Sequence, residues 1–378
     1  MATVLLALAG SVARPTVPAE AAPFKPSLAI EETGIAEGEH VFYDVGHAND
    51  AVRKMSDIGV NSLRLILEWN GSAHPDQLQL DATCNAAHAM VSEGMKILIV
   101  NLLPRARDFP KDDAGRGSFV SSYDDLYRLL LGPGGCAGRK LLIKVMPVNE
   151  INLTTFCDAQ TDAGNLRRRA CAEWAVILQH VVYADAQAAE AQYGVPISVI
   201  GLVVGSHHNP LNEIVAYCTS WRTHGYGEPD MDEQGFHPYA LAQIYLADGT
   251  LDPYSGVRMT PRIQSVVAEC FHRPIPIVYT EVGFKTAVPP DAGYNGTAQQ
   301  GVLYVSLDQF VALQQHLAML ATSYGVIGIY NFLLTDEQSL SSGWQSGLYY
   351  FNGRPKPILN DYSRLVKLES HPPDDGTP

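Results

Sequence analysis

From Glu39 onward the chain alternates short apolar runs with longer stretches in which apolar residues recur every three to four positions. The runs at 40–45, 60–67, 96–102, 140–148, 197–204, 235–239, 275–280 and 326–333 predict eight β-strands. Between them, Ala51, Val52, Met55 and Ile58 fall on one helical face, and residues 170–193 and 302–324 keep a long amphipathic period. A glycine stands just before several strands (Gly59, Gly94, Gly194, Gly325), as expected where a helix ends in a left-handed cap. Eight strand–helix units in series predict a closed (β/α)8 TIM barrel, an α/β fold, rather than an open doubly wound sheet. The 378 residues fit one such barrel with loop insertions, which spans about 200 to over 400 residues. No linker, repeat or low-complexity tract divides them.

Both ends differ from this pattern. Val4-Leu5-Leu6-Ala7-Leu8-Ala9 is an apolar core too short to span a bilayer, and Ala19-Glu20-Ala21 resembles a small-residue cleavage site. Residues 1–22 therefore read as the remnant of an export signal, with a disordered Ala-rich leader as the alternative. Residues 23–370 form the expected barrel, and 371–378 a charged, fraying tail.

Composition narrows the partner. With 46% hydrophobic and 17% charged residues a large core can be buried. A net charge of −14 without patterning argues against nucleic acid and anionic membranes, and suits a neutral glycan. A monomer is expected. No Gly-x-Gly-x-x-Gly follows the first strand and no Walker-type loop occurs, so nucleotide cofactors are disfavoured. The six cysteines permit disulfides, and Cys157 with Cys171 bracket a loop that one bridge would close. The alternative is that several are buried thiols, for example Cys84 and Cys270 on helical faces. No CxxC pair suggests zinc. Asn70, Asn152 and Asn295 each open a glycan-acceptor triplet.

In a barrel the C-terminal strand ends converge on one mouth, so polar residues there are site candidates. In chain order they are Asp44 and His47; Arg64, Glu68 and Trp69; Asn101; Asn149, Glu150 and Asn152; Ser206, His207, His208 and Asn209; His237 and Tyr239; Glu281; Asn331 and Asp336. Two glutamates stand out. Glu150 and Glu281 each close an apolar run, where a carboxylate is costly unless water or substrate reaches it. Either alone reads equally well as a salt-bridge or capping partner. Arg64 has a structural alternative as partner of Glu68 or Asp44, and His237 as a backbone contact beside Pro238. The His207-His208-Asn209 cluster lacks a third metal ligand and reads as a sugar contact or loop. Trp69, Trp221 and Trp344 are candidates for stacking on a sugar, whereas Trp174 lies within a helical pattern and reads as core.

Taken together, Asn149-Glu150, Glu281, Arg64, His237-Pro238-Tyr239 and Gly353-Arg354-Pro355-Lys356-Pro357 make the chain resemble the retaining glycoside hydrolases of clan A, the cellulase-like, family-five-like eightfold barrels. The resemblance spans residues 39–368. It implies an exported enzyme that cleaves β-glycosidic bonds in a polysaccharide, oligosaccharide or glycoside by double displacement, without metal or other cofactor. Glu150 would be the acid/base and Glu281 the nucleophile, their carboxyls about 5–5.5 Å apart and their proton affinities displaced in opposite directions. Arg64 and Tyr239 would keep Glu281 ionised, and Asn149 would hold the sugar 2-hydroxyl. His237, Asn331, Trp69 and Trp344 complete the expected substrate-binding or supporting set. Strand eight ends in Tyr330-Asn331-Phe332, so Trp344 or Phe332 would underlie the sugar. Two alternatives differ in kind: an inactive glycan-binding barrel, and a magnesium-dependent barrel in which Asp44, Glu68 or Asp336 joins the glutamates.

Overall fold

A computed structural model describes residues 30–158, 164–240, 246, 251–298, 304–341 and 343–370 (backbone only at 164, 165 and 368–370). The leader at 1–22 and the tail at 371–378 lie outside the described residues.

Eight parallel strands close a barrel. They are β1 (Glu32–Gly38), β2 (Ser62–Trp69), β3 (Ile97–Pro104), β4 (Leu142–Val145), β5 (Ile197–Gly205), β6 (Glu233–His237), β7 (Ile277–Val282) and, after the short pair β8 (Lys285–Thr286) and β9 (Tyr304–Val305), β10 (Val326–Phe332). β1 pairs with both β2 and β10, which completes the ring. Helices α1 (Val45–Ile58), α2 (Gln77–Glu93), α3 (Asp113–Leu131), α4 (Gly164–Tyr193), α5 (Pro210–His224), α6 (Thr260–Phe271), α7 (Leu307–Ser323) and α8 (Leu359–Ser370) wrap it. The architecture is the expected single-domain TIM barrel.

The apolar face of α1 and the glycine caps are those read from the sequence. α1 buries Ala51, Val52, Met55 and Ile58 against the barrel. The glycines before the strands all have positive φ, from 65° at Gly194 to 101° at Gly59, which a side chain would disfavour. Asp76 and Ser306 each exchange bonds with a glutamine three residues on, in capping boxes that start α2 and α7.

Strand one is the exception. The segment expected at 40–45 is a short 3-10 turn, Glu39–Phe42, followed by α1, and the true strand lies at Glu32–Gly38. Asp44 and His47 are therefore not strand-end residues. Asp44 caps α1 by accepting the His47 N–H at 3.0 Å, and both are exposed.

All six cysteines are bridged, as Cys84–Cys136, Cys157–Cys171 and Cys218–Cys270. The short bridge is the expected one, but Cys84 and Cys270 are not free thiols. Each of these two ties a helix to the next unit of the barrel, a relation that depends on the closed ring. Among the described residues, no helix is long and apolar enough to cross a membrane.

The barrel interior holds charge. Lys144 on β4 is buried between Glu32 on β1 and Glu233 on β6, 2.5 Å from the latter, and Tyr330 donates to Glu32 at 2.8 Å. Burial would expel any of these charges singly; together they compensate one another. Higher up, Glu37 at the end of β1 accepts the N–H groups of Gly38 and Leu334, each at 3.0 Å, and so fastens the loop after β10. Burial pushes the Glu37 carboxyl up to about 7.

Two stability outcomes follow from these buried groups. Lys144→Met, which strands two carboxyls, should cost about 3–5 kcal/mol in urea unfolding, and adding Glu32→Gln with Glu233→Gln should recover much of it. The Glu37 carboxyl titrates near 7 when folded against 4.5 ordinarily, so its favourable contribution is complete below 4.5 and disappears as pH rises through 7. Melting temperature measured from pH 5 to 8 should therefore fall less for Glu37→Gln than for the wild type.

Candidate active site

Arg64 organises the mouth. It lies at the middle of β2, in register with Ala36 and Ile99, with no solvent exposure. Its Nη1 donates to Glu281 Oε1 at 2.5 Å and to the Thr280 carbonyl at 3.3 Å. Its Nη2 donates to Asn101 Oδ1 at 2.7 Å and Asn149 Oδ1 at 3.0 Å. Asn101 is fixed in turn by its bond to the Met146 carbonyl at 2.7 Å. One guanidinium on β2 thus binds groups from β3, from the segment after β4 and from β7. The alternative partners are excluded, because Glu68 pairs with Arg105 at the rim and Asp44 caps α1.

Glu281 receives a second bond, from the Tyr239 hydroxyl at 3.1 Å. Burial works to raise its pKa, but His237, Arg64 and Tyr239 outweigh burial and hold it below the ordinary 4.5. The Tyr239 hydroxyl is pushed far above its usual value by burial and by the two glutamates, so it remains a donor.

Glu150 faces Glu281 across His237. The His237 Nδ1 lies 3.2 Å from Glu150 Oε1 and 3.6 Å from Glu281 Oε2. Its Nε2 is 2.9 Å from the Thr280 hydroxyl, which fixes the ring. Two oxygens that close to one nitrogen are no more than about 7 Å from each other, inside or near the pairings known for glycosidase carboxyls. Both glutamates keep 11% of the side chain exposed, and both stand at the C-terminal side of the ring, Glu281 at the end of β7 and Glu150 after β4, so they face the mouth.

Local backbone makes room for Glu150. Its own φ is 36°, an unusual value for a side-chain-bearing residue. The β5–β6 register slips between Gly201 and Val204, with Leu202 at φ 47°, a bulge that re-aims the end of β5. There, a Cβ on Gly205 would overlap Glu150 Oε1, so a larger residue would displace that carboxyl. Gly205 and Thr280 were not read as site residues. Their signals are slight: one glycine closing an apolar strand, and one threonine preceding a glutamate.

Trp344 comes from the loop after β10, its N–H held by Glu337 at 2.8 Å. Its half-buried ring lies 4.7 Å from that of Tyr239 and 5.7 Å, edge-on, from that of Phe332, beneath the Lys285 ammonium. The mouth thus gathers Arg64, Asn149, Glu150, His237, Tyr239, Glu281 and Trp344.

Other candidates are placed elsewhere. Trp69 is buried, packed edge-on against Phe119 at 5.0 Å, with its N–H on the Ser72 carbonyl; its ring belongs to the core. Trp221 is likewise buried against Phe271, and Trp174 packs near Phe109. Asn331 spends its amide on Gln314, Leu333 and Ser346, bracing the loop behind the site. Asp336 is buried in an ion pair with Lys356 at 2.8 Å. The Gly353–Pro357 segment serves that pair and the surface pair Arg354–Asp291. Asp44, Glu68 and Asp336 therefore do not converge with the glutamates, and the magnesium reading loses its ligand set. Among the described residues, the one grouping with metal-ligand spacing is Cys84, His88 and Cys136, and its two sulfurs are bonded to each other. Asn152, a glycan-acceptor candidate, is buried and fully hydrogen-bonded to the end of β5, so it is no acceptor in the folded chain.

No family model matches the chain and no curated protein matches its sequence. Solved structures do match in shape. A family 39 glycoside hydrolase from the gut symbiont Bacteroides cellulosilyticus WH2 aligns with 91% of this chain and 65% of its own, at 15% identity and a TM-score of 0.59. ZgEngAGH5_4 aligns over 90% of this chain and 96% of its own, at 13% identity and a TM-score of 0.57. A monomeric beta-xylosidase from Caulobacter crescentus CB15 aligns over 89% and 68%, at 14% identity and a TM-score of 0.55. The chain spans about two thirds of the length of the first of these structures. At such identities the likeness is one of fold, an eight-strand barrel such as these family 39 and family 5 glycoside hydrolases have.

Proposed function

We propose that the protein is a retaining glycoside hydrolase acting on β-linked glycans or glycosides. The observation that carries this reading is the pair Glu150 and Glu281, both open to the mouth and both within 3.6 Å of one imidazole nitrogen. A separation of no more than about 7 Å lies below most of the inverting range of about 6.5–9.5 Å. The asymmetry of the pair supports the assignment of roles. Arg64 and Tyr239 both stabilise the charged form of Glu281, whereas Glu150 lies against Gly205 and, among the described residues, neither a lysine nor an arginine pairs with it.

In the first step Glu281 bonds to the anomeric carbon as the glycosidic C–O bond breaks, and Glu150 gives its proton to the departing oxygen. In the second, Glu150 takes a proton from water, the water oxygen bonds to the anomeric carbon, and Glu281 leaves. His237 would hold the Glu150 carboxyl in line, and Asn149, positioned by Arg64, would meet the sugar 2-hydroxyl. Trp344, stacked against Tyr239, would underlie the sugar. Three disulfides favour an oxidising compartment, in agreement with the apolar leader, and we assign the enzyme outside the cytoplasm. Because one structural neighbour is a beta-xylosidase and ZgEngAGH5_4 was solved with a cellotriose, β-xylosides and β-glucosides are the first substrates to assay.

On whichever aryl glycoside is cleaved, Glu281→Ala should lower kcat by at least about 10⁴-fold, and added azide should restore turnover as a glycosyl azide of inverted configuration. Glu150→Ala should cost about 10²–10⁴-fold with poor leaving groups and far less with dinitrophenolate; equal losses on both would remove it as the acid. The acid limb of the kcat/KM profile should lie below pH 4.5, because Glu281 must be ionised to attack and its pKa is depressed. Tyr239→Phe removes one bond to that carboxylate and should move the limb upward; an unmoved limb would sever Tyr239 from the nucleophile.

A further inference from the structure

The turn that leaves β5, Gly205-Ser206-His207-His208-Asn209, borders the acid but takes no part in the chemistry above. Its backbone is fixed from several sides. Asn152 donates through Nδ2 to the carbonyls of Gly205 at 3.0 Å and His207 at 2.5 Å, and accepts the Gly205 N–H at 3.0 Å. Ser206 donates its N–H to the His237 carbonyl at 3.0 Å and its hydroxyl to the Tyr239 carbonyl at 2.6 Å. The clamp is itself anchored, since Arg167 on α4 holds the carbonyls of Asn152 and Cys157 at 3.3 and 2.9 Å, beside the Cys157–Cys171 bridge. One buried amide that satisfies three backbone groups of a short turn sets the position of that turn.

The side chains so positioned are polar and unspent. Among the described residues, the half-buried His207 ring makes no hydrogen bond, although it lies close enough to Glu150 to feel its charge. Burial lowers the His207 pKa below its ordinary 6.5, so at neutral pH the ring offers one donor and one acceptor. The exposed Asn209 amide likewise makes no capping bond to α5. General acid catalysis requires the glycosidic oxygen to meet the Glu150 carboxyl. The group beyond that oxygen must then lie against the surroundings of Glu150, and on the β5 side those surroundings are this turn.

We propose that the turn from Gly205 to Asn209 is the leaving-group subsite, that Asn152 is its positioning residue, and that His207 binds a hydroxyl-bearing leaving group such as the next sugar of a chain. A group that both donates and accepts matches a sugar hydroxyl and gains nothing from an aryl ring. The inference deepens the hydrolase reading and rests on it.

The test compares matched substrates with one glycone: 4-nitrophenyl β-D-xyloside with β-1,4-xylobiose, and 4-nitrophenyl β-D-glucoside with cellobiose. His207→Ala should lower kcat/KM on the disaccharide by at least about tenfold more than on the aryl glycoside, and His207→Gln should regain part of the difference. Asn152→Asp, which loses both donated bonds, should show the same bias. A second measurement reads the other half of the cycle, with the aryl glycoside as donor and free xylose or glucose as acceptor. The ratio of transfer to hydrolysis should fall in His207→Ala, and this ratio is insensitive to the fraction of enzyme folded. Equal losses on both members of a pair, with an unchanged transfer ratio, would overturn the subsite and leave the hydrolase reading standing. Failure of the wild type to cleave any of the four substrates while it cleaves other glycosides moves the same comparison to those glycosides; failure on every glycoside overturns the hydrolase reading and the subsite with it.

Discussion

The site depends on a buried guanidinium. Arg64 has no solvent exposure, so its charge is tolerated only because acceptors surround it. Four named bonds, to Glu281, Thr280, Asn101 and Asn149, do this and draw three other parts of the barrel to one point. The same charge helps to hold the Glu281 carboxyl in its ionised form against burial. Packing, electrostatics and the orientation of Asn149 are therefore consequences of one side chain on β2. The planar fork of arginine is what permits this, since its two terminal nitrogens are fixed apart, one on Glu281 and Thr280 and the other on Asn101 and Asn149.

The barrel separates two kinds of carboxyl by depth. At the floor, Glu32 and Glu233 surround Lys144 and form a closed set of charges that serves the packed interior. Burial raises Glu233 to about 7, as it does Glu37 higher up. At the mouth, Glu281 moves the other way under the influence of His237 and Arg64. The direction of the displacement, more than the residue type, distinguishes an acid kept neutral by burial from one kept ionised.

Much of this was legible in the sequence, for a physical reason. A polar residue directly after a buried apolar strand must find a partner or solvent, so Arg64, Asn149, Glu150, His237, Tyr239 and Glu281 were visible as a set, and the structure brings them together. Strand one was hidden by the same logic. Glu32 enters the charged interior and Glu37 holds the loop after β10, so the segment looked too polar for a strand, while Val41, Phe42 and Tyr43 looked apolar enough to be one. Trp69 stood at a strand end, yet its ring turns outward to Phe119, a choice that single-sequence patterning does not encode. The two long-range disulfides join adjacent helical units and could be paired only once the order of the ring was known. Asn152 stood among the strand-end candidates, but its clamp on the next turn, like the close approach at Gly205, leaves almost no trace in the residue pattern.

The claim at the centre is that one carboxylate bonds to sugar carbon while the other manages the proton. Its most direct measurement is intact-protein and peptide mass spectrometry after incubation with a 2,4-dinitrophenyl 2-deoxy-2-fluoro-β-glycoside of a cleaved sugar. Such a compound forms the glycosyl–enzyme readily and releases it slowly. The account predicts one added fluoroglycosyl group per chain, located on the peptide that contains Glu281. An adduct on a different residue, or an unmodified enzyme whose natural product first appears with inverted anomeric configuration, would contradict it.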